Sequence, residues 1–413
     1  MDESDPHLSA AVTAAVVIFA ATYAVIAIGR LPGYRLDRAG AALLGASLMV
    51  ATGVLTLAQA FAAIDMETIA LLLGMMIVVA NLRLSGFFRL VNGWVAVRAR
   101  SPLVLLAAIV AVTGILSAFL VNDAICLVMT PLVLDLITRL KRDPVPYLLA
   151  VAMASNAGSV ATITGNPQNM IIGSLSRIPY ATFAAALSPP ALVALVLTFG
   201  LVALSARDEF FHGGRFEAVA EAAPRYHRPL VVKTVAMLAA MIVLFFAGEP
   251  VAGVAILGGA ALLVTRRVKP AKVYFDIDWP LLVMFGGLFI VVAGLEKAVL
   301  DPATIAAVGR IDLASVPLLA TLTAVLSNLV SNVPAVLVLR PFVAGLADPQ
   351  KAWLAVAMAS TLAGNFTIVG SVANLIVVEK ARSRGVTIGF WRYFAVGAPL
   401  TVASMGFGVW WLA

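Results

Sequence analysis

The chain has 413 residues, of which 62% are hydrophobic and 12% charged, and its mean hydropathy is +1.03. A soluble protein carries about 25% charged residues, so this composition excludes a soluble globular fold. The net charge of +7 is spread between apolar runs rather than gathered in one patch, which argues against a nucleic-acid partner. Apolar runs of about 20 residues, long enough to cross a bilayer, recur along the chain and predict an all-α, polytopic membrane protein.

The first half of the chain begins with an acidic segment, MDESDPH, followed by an apolar run at Ser9–Gly29. The acidic segment lacks the basic start of a signal peptide, so we expect the first span to be retained. Farther on, Ser101–Leu120 and Ala124–Ile137 have basic residues at their outer ends, which places both ends on one side of the membrane. The pair predicts a re-entrant hairpin with its tip at residues 121–123. The alternative is two ordinary spans joined by a short loop.

A polar run, ASNAGSVATITGNPQNMII at Ala154–Ile172, interrupts the next apolar segment. It predicts two half-helices, Leu148–Ser155 and Met170–Leu175, joined by backbone that unwinds at Gly158 and at residues 165–167. Unwound backbone within a membrane is tolerated only where it is buried in protein or lines a cavity. The alternative is that Ser, Thr and Asn side chains join neighbouring helices through hydrogen bonds.

Four segments of the first half recur in the same order in the second half, at offsets of 213, 213, 210 and 205 residues. The last pair, Val151–Ile171 and Val356–Ile376, shares ten identities in twenty-one positions. Because chance matches would not keep this order, the recurrence predicts two repeats, residues 9–204 and 229–413. A charged segment, residues 205–228, is predicted to link them in the cytoplasm.

Basic loops alternate in opposite phase in the two repeats. The loop after the first span carries Arg30, Arg35 and Arg38 and the next loop carries no basic residue, whereas in the second repeat the basic loop, RRVKPAK, follows the second span. Equivalent loops therefore lie on opposite sides of the membrane, and the repeats are predicted to be inverted. With the basic loops cytoplasmic, 23 of the 28 Lys and Arg residues lie inside. Both termini are then periplasmic or extracellular, in a multi-pass protein of the plasma (inner) membrane.

The second repeat has the same two interruptions, a hairpin turn before Pro334, which favours a helix start, and a broken helix. The predicted fold has about ten transmembrane helices plus two re-entrant hairpins and two unwound helices. Discontinuous helices at matching positions of inverted repeats indicate where a transporter binds its substrate. The predicted substrate- and ion-binding site consists of residues from the four interruptions: Asn122, Asp123, Ser331, Asn332, Thr164, Gly165, Asn166, Asn169, Gly370, Ser371 and Asn374.

Asp123 is the acidic residue of these four interruptions. An ionisable side chain at a mid-membrane helix break is expected to relay protons or to hold a cation, because loss of water disfavours its charged form. The alternative is a carboxylate that caps the helix beginning at Ala124. Asn122 and Asn332 are expected to bind the solute or ion through their side-chain oxygens, with hairpin capping as the alternative.

Other polar residues admit a structural interpretation. Asn169 and Asn374 either hold the unwound loops or line the cavity. Asp65 and Asp278 match between the repeats but precede spans, which favours helix starts. Arg340 could attract an oxyanion, although a side chain that extends to the outer surface is favoured. The three His residues fall in polar segments, so no histidine metal site is expected.

These motifs resemble the ion-transporter superfamily, which contains arsenite permeases, sodium/proton antiporters of the NhaD type, and citrate and dicarboxylate transporters. VNDAICLVMTP at residues 121–131 is similar to the Ala-Asn-Asp tip of arsenite permeases, SNVP at 331–334 to their Asn-Asn-x-Pro tip, and GSVAN at 370–374 to their Gly-Ser-Leu-Ala-Thr segment. The dicarboxylate branch has a threonine at each hairpin tip, where this chain has Asp123 and Val333. The resemblance implies an arsenite-permease-like transporter more than a carboxylate carrier.

We therefore expect a secondary active transporter that moves a small inorganic solute or anion, arsenite or a similar metalloid, outward in exchange for protons. The alternatives within this class are a sodium/proton antiporter and a carboxylate or other anion carrier. A membrane-embedded enzyme is disfavoured because no span contains His and no nucleophile–base pair is evident, so no catalytic residues are expected. A channel is disfavoured because inverted repeats with broken helices favour alternating access.

The expected partners are the lipid bilayer and the transported solute. No cofactor or metal is expected besides the coupling ion, H⁺ or Na⁺. A homodimer is compatible with the sequence. No Gly-x-x-x-x-Gly-Lys loop is present, so any ATP-driven transport would need a separate ATPase subunit.

Overall fold

The computed structural model describes residues 6–29, 33–211, 216, 226–265, 267–299 and 312–413. Within these ranges the chain forms twenty α-helices and no β-strand. The helices of the first half are α1 (Pro6–Ile28), α2 (Arg38–Ala51), α3 (Leu57–Ala63), α4 (Met66–Ser85), α5 (Phe87–Arg98), α6 (Pro102–Phe119), α7 (Asn122–Arg139), α8 (Pro144–Ser159), α9 (Pro167–Ser176), α10 (Tyr180–Ser205) and α11 (Arg207–Phe210).

The second half repeats the order of long helices, hairpin and broken helix. Its helices are α12 (Arg228–Phe246), α13 (Val251–Leu263), α14 (Pro270–Phe275), α15 (Trp279–Val299), α16 (Val316–Val330), α17 (Asn332–Val343), α18 (Pro349–Leu362), α19 (Val372–Arg382) and α20 (Phe390–Leu412). Among the described residues, seven helices are long and apolar enough to cross a membrane: α1, α4, α6, α10, α12, α15 and α20. The predicted all-α, multi-pass membrane class is confirmed.

Residues at equivalent positions of the two halves make equivalent contacts. A Cβ atom on Gly74 of α4 would overlap the backbone of Ala255 in α13, and one on Gly287 of α15 would overlap the backbone of Ala42 in α2. Gly74 and Gly287 are 213 residues apart, as are Ala42 and Ala255. In each case a glycine of one half allows its helix to approach the backbone of a helix in the other half. The two contacts are related by the pseudo-symmetry of the repeats.

The repeat and linker boundaries stay predictions. Most of the segment predicted to link the repeats, residues 212–215 and 217–225, lies outside the described residues, as does Arg30 of the first basic loop. The described part of the linker contacts the first half, because the Tyr147 hydroxyl donates to Glu209 Oε1 at 2.9 Å.

Helix α8 continues through Gly158 to Ser159, so the predicted unwinding at Gly158 is wrong. The glycine instead allows two helices to touch. A Cβ atom on Gly158 would overlap the carbonyl oxygen of Gly114 in α6, the first helix of the hairpin. The absence of a side chain at Gly158 therefore allows the hairpin and the broken helix to pack closely. The backbone unwinds only after Ser159.

Gly158→Ala should destabilise the protein, because the added methyl group must push α6 and α8 apart, at a cost of about 1–3 kcal/mol of unfolding free energy. Gly200→Ala in α10 is the matched control, since a Cβ atom there meets no heavy atom within 4 Å. We expect that control to leave stability unchanged or raise it by up to about 1 kcal/mol. The fraction of each purified variant that stays monodisperse on size-exclusion chromatography after heating measures the difference. Equal heat resistance of the two variants would contradict the role of this contact.

Candidate functional site

The two hairpin tips lie in the interior of the protein. Helix α6 ends at Phe119 and α7 begins at Asn122; α16 ends at Val330 and α17 begins at Asn332. The two Asn side chains are 2% and 8% exposed. Ser331, at the second tip, has a positive φ of 77°, a conformation that costs a side chain such as Ser energy and that the surrounding packing maintains.

Neither tip is closed by a side-chain cap. Helix α7 has Val121 as its N-terminal capping residue and α17 has Ser331, and neither side chain accepts a bond from its helix. The alternative in which Asp123 caps a helix beginning at Ala124 is therefore wrong, as is hairpin capping by Asn122. Neither polar side chain of the first tip is therefore used to cap its own helix.

The unwound loops are held by asparagines at equivalent positions. Asn169 Nδ2 donates to the carbonyl oxygens of Ser159 and Thr162, at 3.1 and 2.9 Å. Asn374 Nδ2 donates to the carbonyl oxygens of Gly364 and Thr367. In each case the amide takes the place of missing helical hydrogen bonds, which supports the structural interpretation of both asparagines.

The second half-helix of each broken helix starts at an N-cap. The Asn166 side chain accepts from the Asn169 amide at 2.8 Å, and Ser371 accepts from the Ala373 amide at 3.3 Å. Between the half-helices the chain forms short 3₁₀ turns at Ile163–Gly165 in the first repeat and at Ala363–Asn365 and Ile368–Gly370 in the second. Regular α-helix is absent from residues 160–166, which include most of the break predicted at 165–167, although Pro167 is already the first residue of α9. It is also absent from residues 363–371, where the sequence of the second repeat predicts breaks at 364–365 and 370–371.

The first half-helix of each broken helix has a polar side chain that is hydrogen-bonded to the other repeat. Asn156 of α8 accepts from the Ser371 hydroxyl at 3.1 Å, and Thr361 of α18 accepts from Asn166 Nδ2 at 3.2 Å. Asn156 and Thr361 are 205 residues apart, and so are Asn166 and Ser371. The two broken helices therefore cross-link each other through a pseudo-symmetric pair of hydrogen bonds at the centre of the molecule.

Asn156 uses its whole hydrogen-bonding capacity in this network. Its Nδ2 donates to Asn365 Oδ1 at 2.9 Å and to Asn374 Oδ1 at 3.0 Å. Its Oδ1 accepts from Asn122 Nδ2 at 3.1 Å as well as from Ser371. One fully buried amide thus connects the first hairpin tip to both ends of the second unwound loop.

The second hairpin tip is held in a similar way. Asn332 lies 2.6 Å from the Ser327 hydroxyl. With its amide oriented so that both ends are satisfied, Asn332 donates to the carbonyl oxygens of Ser360 and Gly370 and accepts from Gln168 Nε2 at 3.2 Å. Gln168 also donates to Thr361 at 3.1 Å, so the first unwound loop contacts the second hairpin.

A small cavity lies between the two hairpin tips and the starts of the second half-helices of the two broken helices. Of the predicted site residues, five line it: Asn122, Asp123, Ser331, Asn332 and Ser371. The other six (Thr164, Gly165, Asn166, Asn169, Gly370 and Asn374) do not line it and lie behind this first layer. Thr164, for example, is hydrogen-bonded to the Tyr180 hydroxyl at 2.8 Å.

Asn122 has an unused acceptor within this cavity wall. Its Nδ2 is bound to Asn156, but its Oδ1 has no hydrogen-bond partner within the described part of the chain, although the side chain is 2% exposed. A buried unpaired carbonyl group is costly unless it binds something. Asp123, next to it, is partly buried and lines the same cavity.

A second cavity adjoins this one. Asp123 and Leu281 line both, and the second cavity extends to Arg83, Asp276 and Asp278. Those three residues adjoin loops that the charge pattern predicts to be cytoplasmic. The lining of this second cavity extends from Asp123 towards the predicted inner side of the protein, and we call this cavity the path.

Sequence reasoning missed two residues of this region. Arg38 was interpreted only as a topology signal, yet it lines the cavity between the tips. Asp278 was interpreted as a helix start; it does accept from the Leu281 amide at 3.0 Å, but it also lines the path beside Asp123. Arg340 does not simply extend to the surface, because its Nε lies 3.9 Å from Glu296 Oε1.

The paired hairpins, crossed broken helices and shared polar cavity define a multi-pass membrane transporter. The chain belongs to the citrate transporter family (CitMHS) of the ion-transporter superfamily. The sequence pattern of that family matches residues 15–363 of this chain. The predicted superfamily is confirmed, and the chain is a secondary transporter.

Relatives of this chain extend over almost its full length. An uncharacterized transporter of Mycobacterium tuberculosis is 32% identical, covering 95% of this chain and 96% of that protein. The silicon efflux transporter LSI3 of Oryza sativa subsp. japonica is 28% identical over 92% of this chain and 93% of its own length. A transporter named arsB of Dictyostelium discoideum is 23% identical over 91% of this chain and 87% of its own.

The fold is also similar to a solved structure. The YdaH transporter of Alcanivorax borkumensis superposes with a TM-score of 0.58 at 16% sequence identity, covering 99% of this chain and 98% of that one. At this identity the likeness concerns the fold alone.

Proposed function

We propose that this protein exports a small, uncharged, hydroxylated solute, arsenite or a similar metalloid hydroxide, in exchange for protons. The observation that carries the proposal is Asp123, placed at a hairpin tip in a cavity whose other polar walls are largely amides and hydroxyls. Such groups bind X–OH through paired donors and acceptors, and the single carboxyl group can exchange a proton in each cycle.

The relatives support an uncharged hydroxide as solute. LSI3 is described as a silicon efflux transporter, and another relative bears the name arsB. Silicic acid and arsenous acid are both small, weakly acidic hydroxides that carry no charge near neutral pH. One cavity of neutral hydrogen-bonding groups can therefore hold either of them.

A carboxylate carrier is less well supported, although the family is described as citrate transporters. Citrate carries several negative charges near neutral pH, and Arg38 is the one cationic side chain among the described residues that line the cavity. Asp123 would also repel a carboxylate in its ionised form. A sodium/proton antiporter is compatible with Asp123 and the free Oδ1 of Asn122, and is therefore included in the test.

Flux measurements in everted vesicles or proteoliposomes test this function. With an acid interior and a neutral exterior, arsenite or silicic acid should accumulate inside, by about tenfold per pH unit for one proton exchanged per neutral solute. Citrate and Na⁺ are measured in parallel, and protein-free liposomes are the control. Accumulation of citrate without movement of either hydroxide would contradict the proposal, and uptake of Na⁺ alone would favour the antiporter.

A further inference from the structure

Arg38 lines the central cavity but belongs to none of the four helix interruptions. It is the first residue of α2 and is partly buried. The hairpin tips and the starts of the second half-helices contribute Asp123 and a set of uncharged polar groups to the cavity, and Arg38 is the cation among the described residues that line it. Its neighbour in the loop, Arg35, is exposed and does not line the cavity.

The position of Arg38 is held by a contact with α1. Its Nε donates to the carbonyl oxygen of Ile26 at 3.1 Å, in the last turn of that helix. A positive charge stabilises a helix near its C-terminus and destabilises it near its N-terminus. The charge of Arg38 therefore stabilises α1 and does not stabilise α2, the helix to which Arg38 belongs. Among the described residues this is the hydrogen bond that Arg38 makes, which leaves the donors of both Nη groups available.

Asp123 has charged neighbours on several elements. Arg38 from α2 lines the central cavity together with it, and Asp278 from the start of α15 lines the path together with it. Arg83 and Asp276, which form an ion pair with each other, line the path leading to it, and the Cys126 thiol lies one turn along its own helix. Within the cavity between the tips, however, the charged groups are Arg38 and Asp123, one of each sign.

We propose that Arg38 determines the specificity of this cavity by balancing the ionised Asp123, so that an uncharged hydroxide is accepted and free cations are rejected. The inference rests on the proposed function and deepens it. A neutral X–OH group can accept a hydrogen bond from an Arg38 Nη and donate one to the Asp123 carboxylate. When Asp123 takes up a proton from water, the neutral carboxyl group becomes a weaker acceptor and the cavity becomes positive, so the solute binds less tightly and proton and solute compete for one site.

Arg38→Gln tests this charge balance. Without the positive charge, the ionised carboxylate is less stable, so the pH below which solute exchange is lost should rise by about one unit or more. The cavity also becomes negative, so Na⁺ should inhibit arsenite exchange in the variant and not in the wild type. Arg38→Lys should restore the wild-type pH profile while weakening solute affinity, because Lys supplies the charge without the planar fork. Arg35→Gln is the matched control and should change neither property.

An unchanged pH profile and unchanged Na⁺ response in folded Arg38→Gln would overturn the inference and reduce Arg38 to a link between α1 and α2. If that variant is not recovered folded, Arg38→Lys carries the test, and an altered pH profile with unaltered affinity would overturn it. If the wild type transports no hydroxide, the proposed function fails independently. Proton uptake by the purified protein, measured with an indicator dye and corrected by Asp123→Asn, then still tests whether Arg38 sets the protonation of Asp123.

Discussion

Asp123→Asn should abolish proton-driven accumulation of solute while sparing exchange between equal solute concentrations. The amide has the size of the carboxylate and can still hydrogen-bond in the cavity, but it cannot take up or release a proton. An imposed gradient of one pH unit should therefore give an accumulation ratio near one, in place of the roughly tenfold ratio of the wild type. Exchange of labelled for unlabelled solute needs no net proton movement and should continue at saturating solute. The solute concentration needed should rise, by about tenfold, because the uncharged amide leaves the charge of Arg38 unbalanced and weakens binding.

Asp135→Asn is the matched control for this experiment. Asp135 lies on the same helix, α7, but forms an exposed ion pair with Arg384 at 2.9 Å. Exposed ion pairs contribute little, so that variant should transport as the wild type does. If Asp123→Asn still concentrates solute with unchanged pH dependence, the proton is carried by another group, and the proposed coupling is wrong.

Equivalent positions of the two repeats each hold an ion pair: Arg83 pairs with Asp276, and Glu296 pairs with Arg340. Arg83 lines the path that leads to Asp123, whereas Glu296, 213 residues later in the sequence, lies 3.9 Å from Arg340 of the second hairpin. The Tyr23 hydroxyl also donates to the Pro334 carbonyl oxygen at 3.3 Å on that hairpin. The second hairpin is thus connected to α1 by one hydrogen bond and to α15 by one ion pair.

Local signals in the sequence were enough to predict the helical class and the four interruptions. Proline, glycine and asparagine at matched positions disrupt regular helix whatever surrounds them, so the breaks near Gly165 and Gly370 follow from local chemistry. Gly158 shows the limit of that rule. A glycine within an apolar helix is also what close helix packing requires, and the contact with Gly114 could not be inferred without the fold.

The cavity was less predictable because its walls come from segments far apart in the chain. Five of the eleven predicted site residues line it, and the asparagines behind them satisfy unwound backbone instead. Arg38 had the residue type and position of an ordinary topology signal. Its role emerges only because the end of α1 and the first hairpin tip meet beside it, which no local pattern encodes.

Asn156 is the residue outside the predicted site whose loss should have the largest effect. Asn156→Ala removes four hydrogen bonds and leaves their partners on Asn122, Ser371, Asn365 and Asn374 without this bond inside the protein. Unpaired buried groups and lost interhelical bonds together should cost on the order of 2–4 kcal/mol of unfolding free energy. Because the first hairpin tip would also lose its anchor to the second unwound loop, transport should fall to the level of empty vesicles.

Asn156→Asp separates this network from simple loss of volume. The side chain keeps its size, but an oxygen would face Asn365 Oδ1 and Asn374 Oδ1 where the amide donates now, so repulsion should abolish transport as completely as the alanine does. Asn81→Ala is the matched control: Asn81 is equally buried, but among the described residues its Nδ2 donates to Ile77 of its own helix alone, at 2.8 Å. We expect that variant to retain most of its flux. Near-normal flux in Asn156→Asp would contradict the role of this amide in holding the two halves together.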